Sequence, residues 1–205
     1  MKENNGKYGY AFWSEDHFLP FCVVVSPSLH CELQGQILHN VGEKEVLTMD
    51  TGFEMRAIGS VDTGNGFMIQ VDEVFREGLR GLDEFSHVMV LWIFDQISWD
   101  QETLVIPSPY RKLTHEIGLF ATRSPFRPNP IAVSVGRILS IDEKAGTILL
   151  DYIDAGHGSP VIDLKPYHPS EDFVTDTQMP EWCAHWPKNR EESGEFDWES
   201  EFTFM

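Results

Sequence analysis

The stretch S-H-V-M-V-L-W-I-F at residues 86–94 carries apolar side chains at both parities of its two-residue period. A segment of this length and pattern predicts a strand buried on both faces. Downstream, residues 131–141 and 147–153 read as two more strands with Gly146 breaking the chain between them. Upstream, residues 56–61 and 67–71 flank D-T-G-N-G, a tight hairpin by composition. A last short strand is expected at residues 160–164. Many short strands separated by turn residues, with no long helical periodicity, predict an all-β barrel or sandwich.

The flanks differ from this centre. Residues 1–52 are expected to form a short β-rich extension, with strands near 21–25, 35–38 and 45–48, and could act as an appendage, a dimerisation arm or a lid. Residues 53–172 form the barrel domain, and residues 173–205 an irregular acidic tail. In the tail, M-P-E-W-C-A-H-W-P at residues 179–187 is too proline-bounded to continue a sheet, yet its two tryptophans need a surface to cover. The tail is therefore expected to pack back on the barrel or on a dimer partner.

The chain has 205 residues, 41% of them hydrophobic and 12% aromatic, enough for one core and against wholesale disorder. No apolar run approaches the length of a membrane span, and the N-terminus lacks the apolar core of a secretory signal, so a cytoplasmic protein is expected. Cys22, Cys31 and Cys183 are odd in number and lack C-x-x-C spacing, which argues against a disulfide framework or a zinc ribbon. His30, Cys31 and His39 are more simply structural than metal ligands, so no metal site is expected.

The formal net charge of −18 argues against a general nucleic-acid footprint, which is usually basic. Its distribution is uneven. Residues 103–137 hold five basic residues (Arg111, Lys112, Arg123, Arg127 and Arg137) against one acidic residue, Glu116, whereas residues 170–205 hold ten acidic and two basic. A focused positive patch on an acidic body can still attract a polyanion.

The centre of that basic part is G-L-F-A-T-R-S-P-F-R-P-N-P at residues 118–130. Its three prolines remove backbone donors, fix φ and push the preceding residues into extended geometry. The segment predicts a stiff, irregular ledge displaying Arg123 and Arg127, with little entropy to lose when a guanidinium meets a ligand.

Three motifs in order, G-L-R-G-L-D-E-F-S-H-V at residues 78–88, the ledge, and I-D-A-G-H-G-S-P-V-I-D-L-K-P-Y at residues 153–167, resemble the TrmO (TsaA, YaeB) family. The resemblance covers roughly residues 56–172, over half the chain. It implies a single β-barrel domain that binds S-adenosyl-L-methionine, and an S-adenosylmethionine-dependent methyltransferase that works as a homodimer. It implies a tRNA substrate, methylated at the exocyclic nitrogen of a threonylcarbamoylated adenosine beside the anticodon. A small-molecule acceptor or another RNA is the second reading, and a non-catalytic S-adenosylmethionine-binding module the third.

The resemblance also assigns residues. Arg123 falls on the arginine associated with the cofactor, and Gln96, Val135, Asp154, Ala155, Gly156 and His157 join it as cofactor contacts. An acylated nitrogen is a weak nucleophile, so Arg123 or Arg127 is expected to stabilise developing negative charge and His157 to act as base. Arg111, Lys112, Asn129 and Tyr167 are the expected substrate contacts. Trp99 is a possible stacking residue whose simpler reading is packing. His157 stands where relatives usually carry an acidic residue, Asp95 where they usually carry His, and the Ser-Pro loop that follows their first strand is missing. Val25-Ser26-Pro27 in the extension could substitute for that loop.

Overall fold

The structure, a computed structural model, describes residues 54–97 and 103–203, and in the first fifty residues only two short strands. The chain divides into two compact units, Met1–Thr51 and Gly52–Met205. In the first, β1 (Gly9–Tyr10) pairs antiparallel with β2 (Val23–Val24), the latter inside the strand expected at 21–25. The other expected strands of the extension, the candidate Ser26-Pro27 substitute, Trp99, and the His30, Cys31 and His39 group lie outside the described residues.

The second unit is built on β3 (Gly59–Asp62), β4 (Phe67–Val71), β5 (His87–Ile93), β8 (Ile131–Asp142), β9 (Thr147–Leu150) and β10 (Pro160–Pro166). These close into one antiparallel barrel in the order β10-β3-β4-β9-β8-β5. The fold is the all-β barrel that the strand pattern predicts. A small second sheet pairs β6 (Val105–Ile106) with β7 (Ile117–Gly118).

Inward-facing residues alternate along each strand. Val61, Ile69, Val71, Val88, Val90, Trp92, Ile148, Leu150 and Val161 fill the barrel, each at most 3% exposed. The indole N–H of Trp92 donates to Ser134 Oγ at 3.0 Å, so the largest interior ring leaves no polar atom unpaired. Leu79 and Leu82, from two 3-10 turns, close one end of the core.

Two glycines set how close the strands come. A Cβ on Gly59 would sit 2.1 Å from the Gln70 carbonyl oxygen, and one on Gly136 would meet a Leu150 methyl at 2.9 Å. The barrel closes at these points because no side chain stands there.

The structure corrects the reading of residues 86–94. β5 is buried on one face only: Val88, Val90 and Trp92 point inward, while Met89, Leu91 and Ile93 lie half-exposed on the outer wall. A closed barrel has an outside, and apolar residues at both parities therefore put one apolar row there. Val133 (46% exposed) and Val135 on β8 extend that row across the register Leu91↔Val133 and Met89↔Val135.

The tail from residue 179 docks on the segment that follows β6. Tyr110 stacks on Trp182 (ring centroids 4.6 Å apart) and meets Trp186 and Phe202, while Trp186 contacts Trp198 at 5.3 Å. Phe202 also bridges to Tyr110 through the backbone. Glu201, 4% exposed, accepts from Trp186 Nε1 at 3.0 Å and lies 2.8 Å from His185 Nε2 and 3.5 Å from Lys112 Nζ. Arg190 grips Asp151 on the barrel with both terminal nitrogens, at 3.0 and 2.8 Å.

Candidate functional site

Strand direction sorts the connections between two rims. β3, β5 and β9 end at one rim, where β4, β8 and β10 begin, as the pairs Ile93↔Ile131, Asp62↔Met68 and Phe67↔Leu150 show. Three connections share that rim: the 63–66 hairpin, the long 94–130 passage with the ledge, and the 151–159 loop. They are separated in sequence by dozens of residues, and the antiparallel closure alone brings them together.

Each connection is tied down locally. Phe94 N–H donates to the Pro130 carbonyl at 2.9 Å, anchoring the end of the ledge beside β5. Gly158, at φ +86°, turns the 151–159 loop so that its N–H donates to the Val61 carbonyl at 2.7 Å, and Val61 N–H donates to the Ser159 carbonyl at 3.0 Å. In the hairpin, Asp62 Oδ1 accepts from Gly64 N–H at 2.8 Å, an Asx turn.

The ledge is stiffened by more than its prolines. Arg127 Nε donates to the Ser124 carbonyl at 2.9 Å, and its Nη2 donates to Thr122 and Leu119 carbonyls at 2.5 and 3.3 Å. The buried Thr122 hydroxyl donates to the Leu119 carbonyl at 2.8 Å and accepts from Ser124 N–H at 3.2 Å. The guanidinium of Arg127 is thus spent on three carbonyls, which departs from the catalytic role expected of it. Arg123 is the reverse case. It is exposed and makes no hydrogen bond or ion pair among the described residues. Its charge does reach the Tyr110 phenol. Burial pushes that phenol up, the nearby Cys183 adds to the rise, and Arg123 opposes both.

Gln96, Asn129, Asp154, Gly156 and His157 lie exposed at the same rim, with Ala155 packed against the core. The Tyr152 phenol lies near the Asp154 carboxylate, and burial and then this carboxylate push it up. Tyr152 in turn meets Phe67 edge-on at 5.1 Å. His157 Nδ1 stands 3.2 Å from Asp62 Oδ1 and 3.4 Å from Thr63 N–H. With a proton on Nδ1 the ring donates to Asp62, leaving the Nε2 lone pair directed outward; without it, Nδ1 accepts from Thr63. Asp62 went unnoticed in the sequence because the turn accounts for it, and only the fold brings it against a loop about ninety residues away.

Four expected site residues are placed elsewhere or committed. Tyr167 follows β10 at the opposite rim, where its N–H donates to the His87 carbonyl at 3.1 Å and its ring meets His87 at 6.3 Å. Along β10 itself, Lys165 and Asp163 form an ion pair at 2.7 Å. Val135 faces outward in mid-strand, about 13 Å below Ile131 at the usual strand rise of about 3.3 Å per residue. Lys112 Nζ lies 2.8 Å from His185 Nε2 and pairs with Glu201, and Arg111 N–H donates to the Glu201 carbonyl at 2.9 Å. Those two basic residues touch the acidic tail and stay exposed beside it. Within one chain, the structure does not bring Tyr167 or Val135 to the ledge.

The chain is thus a closed six-stranded antiparallel barrel that carries a stapled arginine ledge, a glycine-turned loop and an exposed guanidinium on one rim. Residues 53–173 match the tRNA-methyltransferase O N-terminal domain, and the chain belongs to that family. A Halobacterium salinarum relative named as a probable S-adenosyl-L-methionine-binding protein is 39% identical over 120 residues, 57% of this chain and 90% of that one. The tRNA (adenine(37)-N6)-methyltransferase of Escherichia coli is 33% identical over 102 residues, 49% of this chain and 43% of the enzyme. A crystal structure of TrmO superposes with a TM-score of 0.51 at 30% identity, covering 62% of each chain. The chain thus spans most of the archaeal relative and less than half of the Escherichia coli enzyme.

Proposed function

We propose that the chain is an S-adenosyl-L-methionine-dependent methyltransferase, and that it acts on the exocyclic nitrogen of a modified adenosine beside the anticodon of tRNA. The observation that carries this is the convergence on one rim of the ledge, the 151–159 loop and an arginine with no protein partner among the described residues. The cofactor fits these groups. Arg123 offers an uncommitted cation for its carboxylate, Asp154 an exposed anion for its ammonium or ribose hydroxyls, and Gln96 and the loop backbone further polar contacts. When bound, S-adenosylmethionine supplies an electrophilic methyl on a sulfonium.

The chain's own residues then have three tasks. Arg127 holds the ledge carbonyls so that Arg123 is presented from a fixed backbone. Arg123 holds the donor's carboxylate and so fixes the donor where the acylated nitrogen must meet it. His157, held by Asp62 through Nδ1, accepts that proton at Nε2. Asn129 lies beside Arg127 to contact the acceptor.

The outer wall of Met89, Leu91, Val133 and Val135 supports a homodimer, because an apolar row of this kind gains most by meeting its copy across a two-fold axis. Such a pairing is also the way Val135 and Tyr167 can join a site that one chain leaves them out of. No helix among the described residues is long and apolar enough to cross a membrane. With a tRNA substrate the place of work is the cytoplasm. The second reading, a small-molecule or different RNA acceptor, draws on the net charge of −18 and the pairing of Lys112 with Glu201 of the acidic tail.

Calorimetry with S-adenosylmethionine on wild type and Arg123→Ala tests the donor site. Losing a charge-assisted hydrogen bond costs about 1.5–3 kcal/mol, a weakening of roughly 10- to 100-fold. Equal affinity in the two proteins refutes the assignment of Arg123, and no binding by wild type refutes the methyltransferase. Methyl transfer to tRNA but not to small acceptors separates the two readings of substrate.

A further inference from the structure

The ledge carries two aromatic side chains that its arginine chemistry does not use. Phe120 is 77% and Phe126 54% exposed, one on each side of Arg123 in the sequence. Neither ring makes an aromatic contact among the described residues, although eleven other ring pairs pack elsewhere in the molecule. A phenylalanine left in water on a flexible loop needs no explanation, but this loop is stapled. Phe120 sits in the 3-10 turn Leu119–Ala121, whose Leu119 carbonyl receives both the Thr122 hydroxyl and Arg127 Nη2. Phe126 follows Pro125, its N–H donating to Ser124 Oγ at 3.3 Å, and precedes the arginine that holds the whole turn.

Two flat apolar rings are therefore held out on a preorganised backbone, on either side in sequence of Arg123, whose guanidinium is exposed. Rigid aromatic faces beside positive charge are the elements of a nucleobase stacking platform, because each base has a π-face and every step carries a phosphate. We propose that Phe120 and Phe126 stack on unpaired bases of a single-stranded RNA loop, delivering the acceptor base to the methyl donor held at Arg123. This rests on the reading of the rim as a methyl-transfer site and names how its RNA is held. Duplex RNA hides its base faces and does not fit. Leu104 and Val105, on the segment paired with the ledge, are also exposed at 50% and 57% and widen the apolar surface beside Phe120. A second copy of the chain seated there is the competing occupant.

The test uses the full chain, a fluorescein-labelled anticodon stem-loop and a duplex RNA of equal length, read by anisotropy. Wild type is expected to prefer the stem-loop. Phe120→Ala and Phe126→Ala are each expected to weaken it about 10-fold, within the range known for base–aromatic stacking. Phe120→Leu, apolar but without a ring, should behave like the alanine variant. Affinity for S-adenosylmethionine and the sedimentation coefficient should stay at wild-type values. The platform is overturned by equal stem-loop affinity in wild type and both alanine variants, by equal binding of duplex, or by no RNA binding in wild type. It is also overturned by a loss of cofactor affinity, which would seat the rings on the cofactor, or by a change of oligomeric state, which would seat them on a second copy. Methyl transfer on the same samples keeps the two readings apart. A wild type that stacks RNA through both rings and transfers no methyl sinks the enzyme and leaves the platform standing.

Discussion

Replacing Glu201 should release the acidic tail. Its carboxylate is 4% exposed and gathers the Trp186 indole N–H at 3.0 Å, His185 at 2.8 Å and Lys112 at 3.5 Å. Hydrogen bonds to a charged acceptor contribute about 1.5–3 kcal/mol each but are not additive, and the half-exposed Lys112 pair adds under about 1 kcal/mol. Glu201→Ala also strands the Trp186 donor, so a loss of about 3 kcal/mol follows, an increase of roughly 100-fold in the detached tail. Glu201→Gln keeps an acceptor and should cost about 1 kcal/mol. Hydrogen exchange reads this directly at Arg111 and Thr203, whose N–H groups bond the Glu201 and Pro109 carbonyls at 2.9 Å. Exchange at those amides within about threefold of wild type in Glu201→Ala would refute the latch. Acid should act the same way. The Trp186 and His185 hydrogen bonds hold Glu201 below its ordinary value of 4.5. The folded protein then binds that proton less readily than the unfolded chain. The Glu201 contribution is complete above the unfolded value and is lost as pH falls through the lower folded one. Glu201→Gln should flatten that acid limb.

Other substitutions probe the barrel and its ledge. Arg127→Lys can reach one of the three ledge carbonyls at most, so the ledge should loosen by about 2 kcal/mol and cofactor affinity should fall with no change in the barrel's melting; unchanged affinity would leave the staple without a functional consequence. Gly59→Ala drives a methyl to 2.1 Å from the Gln70 oxygen and must part β3 from β4, a loss of at least about 3 kcal/mol measured by urea denaturation; a near-neutral result would mean the strands do not meet as described. Asp62→Asn removes the carboxylate facing His157 Nδ1 and should lower kcat about 10-fold at neutral pH while leaving KM within twofold. A rate and pH profile equal to wild type would free His157 of any role as base.

The strands were legible because hydrophobic period and glycine punctuation are local. The barrel's closure, and hence which face of β5 meets water, is not local, and so residues 86–94 read as buried throughout. The ledge was legible as rigid from its prolines, yet its two arginines divide their work in a way only coordinates reveal. Arg127 turns back on the carbonyls before it, while Arg123 points away. Lys112 looked available because its partner, Glu201, lies 89 residues on in a tail that reads as loose. Asp62 was hidden inside a turn that explained it fully.

The tail cluster has an optical consequence. Of the four tryptophans in the described residues, Trp92 is sealed inside the barrel and the other three, Trp182, Trp186 and Trp198, belong to the docked tail. Detaching the tail would wet three indoles at once, and the Trp186 indole would exchange a carboxylate for solvent. A red shift in intrinsic emission would then follow tail release with no label attached. The protein carries its own gauge of whether the tail is seated beside Arg111 and Lys112.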